Sequence, residues 1–335
     1  MLATLKAALR GPRRHARTAV LAALAAVFAS GGAPAVAADF PTKPVRIVVP
    51  NPPGGASDVL ARLVAQHLSQ AWGQPVLVEN RAGANGNIGA ALVAKSDPDG
   101  LNLLLMDASS LASSPALYPN LNYSPLKDLA PVSIVAYSPH ILVVRKDLPV
   151  NTLPELAAYA KQHPNSLSFG QTPGSITHLA GVLLGQQMGF SWMPVGYKGG
   201  SQVLTDLAGG QIDAALNSYL ATYPLVKNGS VKMLAVASAE RFTPIPQTPT
   251  VAEAVPDFVT GSWQGLFAPA GTPAPVVDKI HADVARVLAL PEVHQRLADL
   301  GSEAVDKTPA QFSTWMQEQA DYWGKVVTDN NIQLM

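Results

Sequence analysis

The chain has 335 residues, with 23 basic and 23 acidic side chains, 29 prolines, 26 glycines and no cysteine. Without cysteine there is no disulfide, Cys-ligated zinc or thiol catalysis, and stability has to come from packing, which a chain of this size supplies in one large or two medium domains. Its first residues carry Lys6, Arg10, Arg13, Arg14 and Arg17, then an apolar run from Ala19 to Ala29 and the small residues Ala35-Val36-Ala37. This order of a basic region, a short apolar core and a cleavage site predicts a secretory signal peptide over residues 1–37, cut near Ala37. Arg13-Arg14 leaves Sec and twin-arginine export both open. Removing the five basic residues of the leader leaves 18 basic against 23 acidic residues, about −5, which argues against nucleic acid as a partner. No stretch reaches the roughly 20 apolar residues of a membrane span.

Val45 to Val49 is a β-branched apolar run suited to a strand buried on both faces. Pro50-Asn51-Pro52-Pro53-Gly54-Gly55 then ends it in a tight loop, because proline cannot continue a sheet and glycine adopts backbone angles closed to other residues. Leu60, Leu63, Val64 and Leu68 follow at the spacing of one buried helix face, with Ser57 or Asp58 placed to cap the first turn. A strand, a glycine turn and a helix N-terminus present unpaired N–H groups and a partial positive charge, the outline of an anion site. The same pattern also serves as a plain strand-to-helix connection. Neither G-x-x-x-x-G-K-[ST] nor G-x-G-x-x-G is present, so it is not a nucleotide loop. If the loop does turn its amides to an anion, a Cβ at Gly55 should strain the turn and block approach.

Strands at Val76 to Val78 and Leu101 to Met106 flank a helix from Ile88 to Ala94, so the order is β-α-β and the fold class α/β. Ala130 to Ala136 and His140 to Arg145 read as two strands on either side of Ser138-Pro139, where the chain crosses to a second domain. There, helices are expected at Leu153 to Lys161, Thr177 to Met188 and Gly200 to Leu207. Strands alternate with them at Leu167 to Phe169, Met193 to Gly196, Ile212 to Leu216 and Lys232 to Ala237. After a Pro-rich connection, one strand from Ser262 to Ala268 and three helices remain, too few strands for a sheet of their own. They complete the first domain. The expected arrangement is therefore domain 1 over 39–138 plus 261–335 and domain 2 over 139–260, with a ligand cleft between two lobes.

The second domain repeats the loop device twice, at Gln171-Thr172-Pro173-Gly174-Ser175-Ile176-Thr177-His178 and at Gly196-Tyr197-Lys198-Gly199-Gly200. Both should open onto the cleft, since ligands lie beyond the carboxyl ends of parallel strands. Ser175 and His178 stand three apart, but no G-x-S-x-G elbow accompanies them, so a cap at Ser175 and a loop contact for His178 are expected before a hydrolytic pair. No H-E-x-x-H occurs, and neither metal nor cofactor is expected.

Taken together, Pro50 to Asp58, Val78-Glu79-Asn80-Arg81-Ala82-Gly83-Ala84-Asn85-Gly86-Asn87-Ile88-Gly89, Asp97-Pro98-Asp99-Gly100, Ser175 with His178 to Gly181, and Tyr197 to Gly200 followed by Asp206 to Asp213 form a pattern. It resembles the substrate-binding proteins of tripartite tricarboxylate transporters, the Bug or TctC-like family, from about Phe40 to the C-terminus. The resemblance implies a two-lobed periplasmic-binding-protein-like fold of type II and a monomeric, periplasmic, non-enzymatic receptor. Such a receptor captures a mono-, di- or tricarboxylate, aromatic acids included, and delivers it to the membrane subunits of the transporter. A receptor feeding a sensor system, and a hydrolase acting through Ser175 and His178, are the alternatives. The implied ligand-binding residues are Pro53, Gly54, Gly55, Ser57, Asp58, Gln171, Thr172, Ser175, His178, Tyr197, Lys198, Gly199 and Asn217, with the two glycine loops acting as pincers on one carboxylate. Asn51 replaces an aromatic residue usual in the family, and Asn217 replaces an acidic one common there. Each Asn either alters the pocket or braces its loop.

Overall fold

The computed structural model describes residues 40–334, so the expected signal peptide lies outside the described residues. In the first lobe, β1 (Val45–Val49) is flanked by parallel partners β2 (Val76–Asn80) and β3 (Asn102–Asp107). Between them run α1 (Ala56–Trp72) and α2 (Asn87–Ala94). The side chains of α1 that pack inward, Leu60, Val64 and Leu68, are those of the predicted stripe and are buried against β1 and β3. Two short helices, α3 (Ala108–Leu117) and α4 (Pro125–Asp128), lead to β4 (Leu129–Arg145).

The expectation of two strands separated at Ser138-Pro139 is corrected here, because β4 is one uninterrupted strand of 17 residues. Its partner changes instead of its direction. Leu129 to Pro139 pairs antiparallel with β9 (Gly261–Pro269), whereas His140 to Arg145 pairs with β7 (Ala214–Ser218) and β8 (Val231–Val236). A proline is tolerated at this position because Tyr137, two residues earlier, gives its N–H to Glu303 and not to β9, so the Pro139 nitrogen faces the same edge, which β7 joins only from His140 onward.

The second lobe comprises α5 (Leu153–Gln162), β5 (Ser168–Gln171), α6 (Ile176–Met188), β6 (Met193–Gly196), α7 (Gly200–Ala208), β7, α8 (Tyr219–Lys227) and β8. The chain returns through β9 to α9 (Ala274–Leu288), α10 (Pro291–Asp299) and α11 (Pro309–Asp329). Among the described residues the nine strands are hydrogen-bonded together, eight along the path β2-β1-β3-β9-β4-β7-β5-β6 and β8 branching from it at β4. Each lobe carries an apolar layer on both faces of its part of the sheet. A smaller cluster of Leu117, Ile176, Leu179, Trp323 and Val327 joins α3 and α11 to α6, so the last helix packs on both lobes.

Besides the single turn of α4, two longer helices had no counterpart in the expected elements. α3 is Ala-Ser-Ser-Leu-Ala-Ser-Ser-Pro-Ala-Leu and α8 is Tyr-Leu-Ala-Thr-Tyr-Pro-Leu-Val-Lys, each with an internal proline. Serine and proline are poor helix formers, and α3 is buried nearly all round, so burial and not an amphipathic stripe holds it. Both helices start at the cleft.

Candidate functional site

The cleft is bounded by strand ends from both lobes, and five helices begin at it. The cavity there encloses about 100 Å³ of free space. Asn51, Pro52, Gly55, Ser57 and Asn85 line it from one side, and Thr172, Ser175, Thr177, Ser201 and Asn217 from the other. Asp107, Ser110, His140, Ser218, Ser262 and Gln264 close its inner end, where β4 and β9 cross between the lobes. The lobes are in hydrogen-bonding contact around it. Asn85 Nδ2 donates to the Gly174 carbonyl at 2.7 Å, the Tyr118 hydroxyl to the Pro173 carbonyl at 3.1 Å, and the Ile176 N–H to Ser110 Oγ at 3.2 Å.

The helix starts fall into two kinds. α3, α6 and α8 are capped by their own chain: Asp107 accepts from Ser110 N–H at 2.8 Å, Ser175 from His178 N–H at 3.2 Å and Ser218 from Ala221 N–H at 3.4 Å. α1 and α7 have Gly55 and Gly199 at the cap position, with no side-chain cap. A helix without a cap keeps unpaired N–H groups and the positive end of its dipole for whatever approaches. These two starts belong to opposite lobes and adjoin one another, since a Cβ built on Gly199 would meet Pro52 Cδ at 2.5 Å.

Among the described residues, no Lys or Arg lines this cavity. Its carboxylic acid is Asp107, whose burial pushes the pKa up against the hydrogen bonds from Ser110, Trp263 N–H and Ser262. Burial pushes His140 down to about 3, so its ring is uncharged at neutral pH, with Nδ1 3.0 Å from Thr260 Oγ1.

Of the residues singled out from the sequence, Gly55, Ser57, Thr172, Ser175 and Asn217 line the cavity. Asn217 also braces, donating to the Gly200 carbonyl at 3.2 Å and accepting from Ser218 N–H at 2.9 Å. Asn51 lines it too, and its Oδ1 accepts from the Ser57 hydroxyl at 3.4 Å. The others lie beside the cavity or behind it. Neither Ser57 nor Asp58 occupies the cap position of α1, which Gly55 takes. Asp58 accepts from Gly54 N–H at 3.0 Å and from Asn80 at 3.0 Å, and pairs with Arg62. Gly54 N–H is thus used within the loop, and Pro53 is exposed. Gln171 and His178 line a separate cavity of about 490 Å³ with Val182, Phe190 and Trp192. His178 Nδ1 accepts from Gly174 N–H at 3.1 Å, which ties the ring to its own loop and leaves Ser175 Oγ paired with Thr177 Oγ1 at 2.8 Å. The Tyr197 hydroxyl donates to Asp206 at 2.7 Å, and exposed Lys198 gives its N–H to Gln202.

The glycine loop also differs from expectation in its strain. Gly54 holds the left-handed backbone, φ 82°, while Gly55 has φ −79°, and a Cβ added to Gly55 would find only the Pro52 carbonyl within 4 Å. The turn is therefore glycine-dependent at Gly54, and close approach is glycine-dependent at Gly199. Asn85, Asp107, Ser110, His140, Ser201, Ser218, Ser262 and Gln264 were not among the expected site residues. The rule that sites form at strand ends could have found Asp107 and Ser218, which terminate β3 and β7.

Two α/β lobes joined by crossing strands, with a small polar cavity between them, define a type II solute-binding protein. The chain belongs to the tripartite tricarboxylate transporter family of receptors, whose family model matches residues 60–332. It is 35% identical over 322 residues to protein BugT of Bordetella pertussis, covering 95% of this chain and 99% of that protein. Among solved structures it is similar to MatC of Rhodopseudomonas palustris with bound malate, at 35% identity and TM-score 0.82, covering 86% of this chain and all of that one. A second R. palustris protein, solved with adipate, matches at 35% identity and TM-score 0.85, covering 88% and 100%.

Proposed function

We propose that this receptor captures a small carboxylated compound in the periplasm, as a monomer and without chemical turnover, and delivers it to the membrane subunits of a tripartite tricarboxylate-type transporter. The observation that carries the reading is the pair of uncapped helix starts, α1 and α7, adjoining one another from opposite lobes at one cavity. Their free N–H groups and dipole ends hold an anion without any full positive charge, which fits a lining free of Lys and Arg. The malate and adipate held by its relatives are carboxylates of suitable size. Closure is a movement of lobe 1, over 39–138 and 261–335, against lobe 2, over 139–260. The binding residues within the cavity are Gly55, Ser57, Thr172, Ser175 and Asn217, while Gly199 sets the approach of the loops. Against the hydrolytic reading stands the His178 ring, whose Nδ1 is engaged by Gly174 and which faces the other cavity.

A thermal-shift panel of organic acids, preceded by native mass spectrometry of the purified protein, tests this. Binding to the native state raises stability by RT ln(1 + [L]/Kd), about 2.7 kcal/mol at a hundredfold excess over Kd. The expected result is a shift by carboxylates recovered unchanged after prolonged incubation. Shifts by neutral sugars alone, or a ligand recovered as hydrolysis products, would overturn it.

A further inference from the structure

One buried side chain at the inner end of the cavity is only half satisfied by the protein. Gln264 lies on β9 in register with Asp107 on β3, and it is 3% exposed. The residue borders the cavity; its Nε2 donates to Ser262 Oγ at 2.5 Å, while Oε1 is buried with no hydrogen-bond partner among the described residues. The Ser262 hydroxyl gives its proton to Asp107 and so accepts here, which fixes Nε2 on Ser262 and leaves the acceptor Oε1 as the unpaired atom. The unpaired atom is therefore an acceptor, on a residue that borders the cavity. Buried side-chain amides are nearly always paired, so this one is positioned for a group that the protein itself does not supply.

The surroundings restrict what that group is. The helix start at this end, α3, is already capped by Asp107, and the carboxylate of Asp107 lies on the strand beside Gln264. With no Lys or Arg in the lining, a second ligand carboxylate placed here would find no compensating charge, and when ionised it has no proton to give to the Gln264 acceptor. An amide N–H or a hydroxyl, in contrast, donates the one hydrogen bond that Gln264 Oε1 lacks. We infer that Gln264 determines the specificity of this site, selecting monocarboxylates whose far end carries an uncharged hydrogen-bonding group. The inference rests on the carboxylate reading above, which assigns the single carboxylate to the α1 and α7 end and so directs the far end to β9.

The test is calorimetry on the wild-type chain and on Gln264→Leu with matched series from malonate to adipate: the diacids, their monoamides, the corresponding hydroxy acids and plain monocarboxylates. At the best-fitting length the wild type should bind the monoamide or hydroxy acid about tenfold more tightly than the diacid or the plain acid, the scale set by one hydrogen bond to an otherwise unpaired buried group. In Gln264→Leu that preference should vanish while the plain acid keeps its affinity. Tighter binding of the diacids across the series overturns the inference from the wild type alone, whether or not the variant folds. An undiminished preference in a folded Gln264→Leu protein overturns it as well. Binding of the neutral diamides with no acid bound would instead sink the carboxylate reading, and the inference with it.

Discussion

The two ends of the cavity solve the same problem in opposite ways. At the inner end α3 and α8, and on the second-lobe wall α6, satisfy their first N–H groups with Asp107, Ser218 and Ser175, so these dipoles are answered within the protein. At the outer end α1 and α7 begin at Gly55 and Gly199, which have no side chain to cap with. Asp58 is the telling residue, because it brings a negative charge to the first turn of α1 yet spends it on Gly54, Asn80 and Arg62, outside the cavity. The difference teaches that an anion site can be made by leaving out caps, with no basic side chain added.

The sharpest way to break this contrast is at the outer end. Gly199 has an extended backbone, φ 178°, so a side chain there is conformationally permitted but collides with Pro52. Gly199→Val should fold normally and fail to close, weakening binding about a hundredfold, the upper range of the cost of overpacking. Calorimetry with the ligand found by the thermal-shift panel reads this, and wild-type affinity in the folded variant would separate α7 from the anion site.

Asp58→Ala asks whether the free start of α1 depends on its external carboxylate. Loss of these charge-assisted hydrogen bonds should lower stability by about 2 kcal/mol. Burial of Asp58 opposes its ionisation, but Arg62, Gly54 N–H and Asn80 outweigh it and hold the pKa below the ordinary value of 3.8. A lowered pKa in the folded state means that the stabilisation is complete above that ordinary value and is lost as pH falls through the lowered one. Melting temperatures of wild type and variant should therefore differ at neutral pH and converge in acid. A difference that persists unchanged to low pH would contradict the assignment.

Ser175→Ala removes the cap of α6 on the second-lobe wall. It should cost about 1 kcal/mol in denaturant unfolding, the usual worth of a cap, without creating or abolishing any turnover of ligand. A product that disappears with this hydroxyl would show catalysis. The smallest change is Tyr197→Phe. Its hydroxyl serves Asp206, so the variant should lose about 0.5–1 kcal/mol of stability and bind ligand like the wild type. A marked loss of affinity would bring Tyr197 into the site.

Much of this was legible in the sequence. β1 has the same bounds as its apolar run, the buried stripe of α1 is the one its spacing marked, and the family pattern carried the two-lobed fold and the receptor role. Placement within the glycine loops was not legible. Gly54 and Gly55 are adjacent and chemically identical, yet one takes the left-handed backbone and the other borders the cavity. Tyr197 and Gly199 are two residues apart, but the first turns to Asp206 while the second meets Pro52 of the other lobe.

The sequence by itself determined the local elements and their order, because hydrophobic spacing and the proline and glycine stops act over a few residues. Tertiary structure decided the inner end of the site. Asp107, His140, Ser218 and Gln264 come from four separate elements, and they meet only because β4 runs unbroken through both sheets and β9 returns beside it. Burial then does what no local pattern announces: it keeps His140 uncharged, and it leaves Oε1 of Gln264, a residue that borders the cavity, without a partner.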